Sequence, residues 1–185
     1  KEGQEDGLEA ERDQGENFVA GTDDNEITQQ KAKDVMEEAQ LQESEQMADR
    51  AERLLAKYGI QDKVMVDFNG QYVSMTLNGA MLFETGSAEL TQEAVLLVNK
   101  IGKVLQRYNN HTIEIEGHTD NVPVHNARFA DNNVLSMYRA LSVADHLRAE
   151  TSLDPASIKS SGRGDYIPVA DNGTPEGRAQ NRRVE

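Results

Sequence analysis

The spacing of apolar residues in the first third of the chain predicts one long helix. Residues 27–58 contain neither proline nor glycine and are rich in alanine, glutamate, glutamine, lysine and methionine, a composition that favours helix. The apolar stripe is thin around Val35 and Met36 and well defined in the second half, and Gly59 is expected to end the helix. The well-defined stripe consists of Met47, Ala51, Leu54, Leu55 and Tyr58.

The rest of the chain alternates between strand-like and helix-like patterns. Two alternating runs flank Asn69-Gly70, a dipeptide typical of β-hairpin turns. Thr91 is a suitable N-cap for the helix that follows the hairpin. Strands are predicted at residues 63–68, 71–77, 112–117, 158–162 and from 183 onward, and helices at 91–108, 132–149 and 174–181. Because strands alternate with helices, we predict an α/β (α+β) sandwich with the helices on one face of the sheet.

Three segments are expected along the chain. Residues 1–25 are rich in Glu, Asp, Gly and Gln with almost no aliphatic side chains, so we expect a disordered acidic tether there. Residues 26–59 form the predicted helical linker, and residues 60–185 form the predicted folded domain. The charge is concentrated at the start, since residues 1–57 hold 17 acidic and 7 basic side chains, which is −10 of the formal net charge of −14.

The composition argues against several classes of function. The acidic chain repels nucleic acid phosphates, and it has no basic patch interleaved with aromatic residues. The absence of cysteine excludes disulfides and thiolate metal sites. The longest apolar run, residues 94–98, is far too short to cross a bilayer. Since the sequence begins at Lys1 and stops within a predicted strand, we expect a piece of a longer protein whose membrane segment would lie outside it.

The most informative chemistry is an acid and a base on either side of one loop. Asp120 follows the predicted strand 112–117, and Arg139 lies in the predicted helix 132–149. Taken alone, Asp120 is more often a cap or a loop carboxylate, and Arg139 is more often a solvated helix residue. Together they offer one anionic group and one bidentate cation, which suit a zwitterionic ligand such as an amino acid head group. This pair favours a binding module over an enzyme.

Four motifs in order carry a family resemblance. They are Gly117-His118-Thr119-Asp120, then Asn132-x-x-Leu135-Ser136-x-x-Arg139-Ala140, then Gly162, then Gly177-Arg178-Ala179-x-Asn181-Arg182-Arg183-Val184-Glu185. Over residues 64–185 the chain resembles the OmpA-like peptidoglycan-binding domain. The resemblance implies the OmpA-like β/α/β/α/β fold, with helices on one face of a mixed sheet and here a long N-terminal helix in front.

The resemblance also implies a site and a ligand. Asp120 would bind the ammonium group, and Arg139 the carboxylate, of a peptide-stem amino acid such as diaminopimelate. It implies no catalysis and no cofactor. The residues that would shape the pocket are His118, Thr119, Asn132, Leu135 and Arg183.

Two segments resemble one branch of the family more than the others. These are residues 82–90 and the long loop of residues 121–129, which are similar to the MotB branch of flagellar motor stator subunits. The resemblance implies an extracytoplasmic anchor (periplasm or cell-wall space), tethered to the cytoplasmic membrane by a helix outside this sequence. It further implies a homodimer and a membrane-embedded stator A subunit as partner. The alternative is a general wall anchor of an outer-membrane protein, a lipoprotein or a secretion system.

Other interpretations of the same residues are weaker. A Ser136–His118–Asp120 triad would lack a nucleophile elbow, because Ser136 lies in the first turn of a predicted helix. A metal site at His118, Asp120 and His125 would lack a further ligand at consistent spacing. A wall hydrolase therefore has no recognisable machinery here. The helix 27–58 is either a spacer docked by its second half or a regulatory linker that opens at its weakly patterned first half.

Overall fold

The computed structural model describes residues 23–185, and the first element it contains is a long helix. Helix α1 spans Asp23–Lys57. The predicted tether lies outside the described residues up to residue 22, whereas residues 23–25 already belong to α1. Gly59 ends the helix as predicted, with φ of +68°, and the Gly59 amide donates to the Ala56 carbonyl at 3.0 Å.

The chain divides into two compact units, the first ending at Ala39 and the second covering residues 40–185. In the described part of the first unit, Val35 and Met36 are exposed. In the second unit, the predicted stripe of α1 faces the core, since Ala51 and Leu55 are buried and Met47, Leu54 and Tyr58 pack against the core while partly buried. The Tyr108 hydroxyl also donates to the Met47 carbonyl at 3.1 Å. The buried residues of α1 in this unit are Ser44, Ala48, Ala51 and Leu55.

The second unit contains the mixed sheet that the sequence predicts. Its strand order is β1-β2-β5-β3-β4, with β3 and β4 parallel and all other neighbours antiparallel. The strand that comes last in the sequence therefore lies at the centre. The strands are β1 Val64–Phe68, β2 Val73–Asn78, β3 Ile113–His118, β4 Ile158–Gly162 and β5 Arg183–Val184, and the helices after α1 are α2 Gln92–Leu105, α3 Asn132–Glu150 and α4 Pro175–Asn181.

Helix α3 packs on β3 and β4 at unusually close range. A Cβ atom at Gly117 would collide with the Ser136 carbonyl, and one at Gly162 would collide with the Met137 amide nitrogen. Both collisions involve helix backbone, so only glycine allows this approach. Helix α2 begins at Thr91, whose hydroxyl accepts from the Ala94 amide at 3.1 Å as predicted. The core face of α3 is also the predicted one, namely Ala140, Val143, Ala144 and Leu147.

The β1–β2 hairpin has a longer loop than the two-residue turn that Asn69-Gly70 suggests. The last paired residues are Phe68 and Val73, so residues 69–72 form the loop. The Asn69 side-chain oxygen accepts from the amides of Gln71 and Tyr72 at 2.8 and 3.1 Å. These local bonds satisfy the Gln71 and Tyr72 amides inside the loop, and β2 therefore starts at Val73, two residues later than predicted.

A small second cluster holds the loop of residues 121–131. Phe129 and Leu135 are buried there with Ala88, and Val124 and Val134 pack against them. The loop thus has its own apolar contacts to α3 and to the segment before α2. These contacts fix the surroundings of Asp120 and Arg139.

Candidate ligand-binding site

The Asp120 carboxylate is buried at the end of β3 and is held on both oxygens. It is 7% exposed. Its Oδ1 accepts from the Val122 amide at 3.0 Å, and its Oδ2 pairs with Nη1 of Arg182. A buried carboxylate needs such partners to stay ionised. The arrangement gives each carboxylate oxygen of Asp120 a partner and fixes its direction.

The Arg139 guanidinium is buried with a different set of partners. Nε donates to the Ser87 carbonyl at 2.8 Å and Nη2 to the Glu84 carbonyl at 3.3 Å. The guanidinium carbon lies 5.0 Å from the ring centre of Phe83, a cation–π contact. Three residues of the segment between β2 and α2 therefore fix the orientation of the Arg139 side chain.

Asp120 and Arg182 are both close enough to Arg139 for their charges to affect its pKa. Burial, together with the smaller effect of the Arg182 charge, lowers the pKa of Arg139 to about 10, while the Asp120 carboxylate opposes both effects. Arg139 still carries its full charge at neutral pH. The site thus has two guanidinium groups and one carboxylate, all three of which can bind the groups of a zwitterion.

Arg182, which the sequence reasoning did not single out, is the arginine that pairs with Asp120, whereas the family resemblance pointed to Arg183. In the structure Arg183 lies opposite His118 in the β3–β5 ladder. Its Nε donates to Glu185 Oε1 at 2.6 Å, and its Nη1 lies 3.3 Å from the Ile167 carbonyl. Adjacent residues of an extended segment point to opposite sides, so only one of the two arginines can reach Asp120. The sequence could therefore indicate that one of the two arginines faces Asp120, but it could not show which of them does.

His118 and Thr119 carry buried polar atoms that stay unpaired. They are 2% and 4% exposed. Both ring nitrogens of His118 and the hydroxyl of Thr119 have no hydrogen-bond partner within residues 23–185. The Thr119 backbone is fixed, because its amide donates to the Gly164 carbonyl at 2.8 Å. Unpaired buried groups are rare in native proteins, and each one requires an explanation.

Asn132 and Leu135 hold the loop in place. The Asn132 amide donates to the carbonyls of Asp120 and Val122 at 3.1 and 3.0 Å, and its oxygen accepts from the Val124 amide at 3.1 Å. Leu135 belongs to the small apolar cluster around Phe129. The structure therefore gives Asn132 a role in positioning Asp120, with its hydrogen-bonding groups already engaged.

Replacing Asn132 by alanine should loosen this loop. Two carbonyls and one amide would lose their partner, and an unpaired buried group costs about 1–3 kcal/mol. We expect faster hydrogen exchange at the Val124 amide and a lower free energy of unfolding. Asn133→Ala is the matched control, because Asn133 is exposed and its amide lies 3.4 Å from the Tyr166 hydroxyl. Equal exchange rates at Val124 in both variants would contradict the role given to Asn132.

The geometry does not form the triad or the metal site considered above. The Ser136 hydroxyl donates to the Asn133 carbonyl at 2.8 Å and accepts from the Gly164 amide at 2.9 Å, without a bond to His118. Within the described chain no three His, Asp or Glu side chains are grouped to hold a metal ion. Across residues 23–185 no helix combines the length and apolar character that a membrane span requires.

A cavity of about 650 Å³ lies elsewhere, between β2 and β3 beside the short β5. Its floor is formed by core side chains, including Leu82, Val98 and Ile101. None of the seven predicted site residues lines it. The candidate site is thus a set of charged side chains near the end of β3, separate from this cavity.

Comparisons with known proteins agree with the fold and with the motifs. The OmpA family model matches residues 82–182. Motility protein B of Bacillus subtilis (strain 168) is 32% identical over 147 residues, which is 80% of this chain and 56% of that protein. The uncharacterized protein YtxE of the same organism is 36% identical, covering 61% of this chain and 46% of that protein. The chain thus spans about half the length of these relatives.

Solved structures are similar over most of the chain. A putative MotB-like protein from Desulfovibrio vulgaris has a TM-score of 0.74 at 26% identity, covering 80% of this chain and 91% of that one. The cell wall anchor of the T6SS from Pseudomonas aeruginosa has a TM-score of 0.65 at 37% identity, covering 71% and 91%. The periplasmic domain of Helicobacter pylori MotB has a TM-score of 0.60 at 28% identity, covering 65% and 75%.

Proposed function

This chain belongs to the OmpA family, and from that premise we propose that it binds peptidoglycan without catalysis and anchors a flagellar motor stator to the cell wall. The observation that carries the proposal is the set formed by the buried Asp120 and Arg139 and the half-buried Arg182. A fixed carboxylate together with two guanidinium groups can bind a zwitterion, and the set contains no nucleophile that could attack it. The relatives named for motility support the stator part of the proposal.

The geometry suggests how a peptide-stem amino acid such as diaminopimelate would bind. Its carboxylate would approach the guanidinium groups of Arg139 and Arg182, and its ammonium would approach the Asp120 carboxylate. The unpaired Thr119 hydroxyl, next to Asp120 in the chain, would supply a further hydrogen bond. The remaining predicted site residues would support these groups through packing and charge, without contacting the ligand. They are His118, Arg183, Asn132 and Leu135.

A general wall anchor is the second candidate, and one observation favours it. The T6SS wall anchor is 37% identical to this chain, more than the 26% and 28% of the two MotB-type structures reported above. Both candidates share the ligand and differ in what is anchored. Deleting the gene separates them, since loss of swimming with flagella still assembled would support the stator role, and unchanged swimming would support the general anchor.

The partners follow from the stator role. We propose an extracytoplasmic location (periplasm or cell-wall space), a homodimer, and a membrane-embedded stator A subunit that binds the part of the protein outside this sequence. Sedimentation equilibrium of the chain tests the homodimer directly. A monomer at high concentration would mean that residues 1–185 do not suffice for dimer formation.

Sedimentation with purified peptidoglycan sacculi tests the ligand. The wild-type chain should pellet with sacculi, and soluble diaminopimelate should return it to the supernatant. Pimelate, which has the two carboxylates but no ammonium group, should compete far less because Asp120 would find no partner. A chain that stays in the supernatant, or that pimelate displaces equally well, would contradict the proposed recognition. Release of soluble muropeptides from the sacculi would contradict the absence of catalysis.

A further inference from the structure

His118 lies at the centre of a row of charges that is distinct from the Asp120 site. Its Nε2 is 3.9 Å from Glu116 Oε2 and 3.9 Å from Glu185 Oε1. Arg163 pairs with Glu116 at 2.6 Å, and Arg183 pairs with Glu185 at 2.6 Å. With a neutral imidazole the row has two positive and two negative charges.

The position of His118 keeps its imidazole neutral at ordinary pH. Burial lowers the pKa of His118, the charge of Arg183 lowers it further, and the nearby Glu185 and Glu116 only partly oppose this effect. Both glutamates are already neutralised by arginines, so they attract a proton on the ring only weakly. Acidification would nevertheless place a charge there, with no hydrogen-bond partner in place among the described residues.

Two residues of this row are close in sequence to residues of the Asp120 site. His118 pairs with Arg183 across β3 and β5, and the residue before Arg183 is Arg182, the partner of Asp120. His118 is the last residue of β3, and Asp120 follows it by two residues. A protonated His118 would compete with Arg183 for Glu185 and repel Arg183, which would displace the start of β5 and with it Arg182.

We propose that His118 is a proton-responsive element that weakens ligand binding at Asp120 when the ring is protonated. The inference rests on the proposed peptidoglycan binding and adds a regulation to it. The direction follows from linkage, because a ligand that needs the neutral form of His118 is bound less tightly wherever the ring takes up a proton. The groups that face the ring are Glu116 on β3, Arg183 and Glu185 at β5, and Arg163 after β4.

Binding to sacculi across pH tests the proposal. The affinities of the wild type and of His118→Gln for sacculi are each measured at about pH 7.5 and about pH 4.5. The readout for each protein is its affinity at the lower pH divided by its affinity at the higher pH. For the wild type this ratio should lie below one, by up to about tenfold for each pKa unit by which the ligand lowers the pKa of His118. The His118→Gln ratio should lie closer to one. His111→Gln is the control, since His111 is exposed and should keep the wild-type ratio.

A second measurement keeps the test decisive if His118→Gln does not fold. The ring of His118 is titrated by NMR in the wild type, with and without soluble muropeptides, and its pKa should be lower with them. Equal ratios in wild type and His118→Gln, or an unchanged ring pKa, would overturn the proton-responsive role alone. If the wild type binds no sacculi at about pH 7.5, the proposed peptidoglycan binding fails, and this inference fails with it.

Discussion

Replacing Asp120 or Arg139 by alanine should move the protein from the sacculus pellet to the supernatant. Each replacement removes one member of a buried charge pair with the ligand, and such a loss costs about 2–5 kcal/mol of binding free energy. That amounts to a factor of about thirty to several thousand in the dissociation constant. The measurement is the bound fraction at several sacculus concentrations for each variant.

Conservative replacements sharpen the same experiment. Asp120→Asn keeps the shape and the Val122 contact but removes the charge, and Arg139→Lys keeps the charge but loses the planar group that contacts Ser87 and Glu84. Both should bind poorly. The exposed residues Asp62 and Arg107 provide controls, and Asp62→Ala and Arg107→Ala should pellet like the wild type.

Folding must be measured for the same variants. Asp120→Ala leaves Arg182 without its partner, and Arg139→Ala opens a space beside Phe83. Urea unfolding separates a folded variant that does not bind from an unfolded one. Folded Asp120→Asn and Arg139→Lys proteins that bind sacculi with wild-type affinity would remove the basis for the proposed site.

Replacing Gly117 by alanine should destabilise the domain more than any other change considered above. The new methyl group would collide with the Ser136 carbonyl, so α3 and β3 would have to separate. Overpacking against backbone usually costs about 1–3 kcal/mol, and we expect about 3 kcal/mol or more here because no side chain can rotate away. The measurement is the urea midpoint of unfolding at constant slope.

Gly59→Ala is the matched control for this prediction. Gly59 has φ of +68°, and no atom lies within 4 Å of the position that a Cβ atom would take, so alanine there meets conformational strain but no collision. Its cost should be about 1–2 kcal/mol. A Gly117→Ala protein as stable as Gly59→Ala would show that α3 can move away from the sheet without loss.

Most elements of the fold could be predicted because each has its own local signal. Thr91 caps α2 and Gly59 ends α1, both through bonds between residues close in sequence. The strand of residues 158–162 was predicted with the same ends that the structure shows. The α/β class and the mixed sheet with helices on one face are confirmed by the structure and by the similar solved structures.

The rest depended on contacts between distant residues. The hairpin loop is longer than predicted because the Asn69 side chain takes part in it. Arg182 could not be separated from Arg183 without the register of β5 on β3. The closeness of Asp120 and Arg139 was expected from the family resemblance, whereas the bonds of Arg139 to the Ser87 and Glu84 carbonyls join residues more than 50 positions apart and had no local signal.

The central place of β5 has a consequence for how the chain reaches its folded state. β1 and β2 form one local hairpin, and β3, α3 and β4 form one local crossover, so each can form from neighbouring residues. The two halves of the sheet are joined only when β5 inserts between β2 and β3. Arg182 arrives in that same step, and it completes the charge set around Asp120. The charge set around Asp120 is therefore incomplete in any molecule whose β5 has not yet joined the two halves of the sheet.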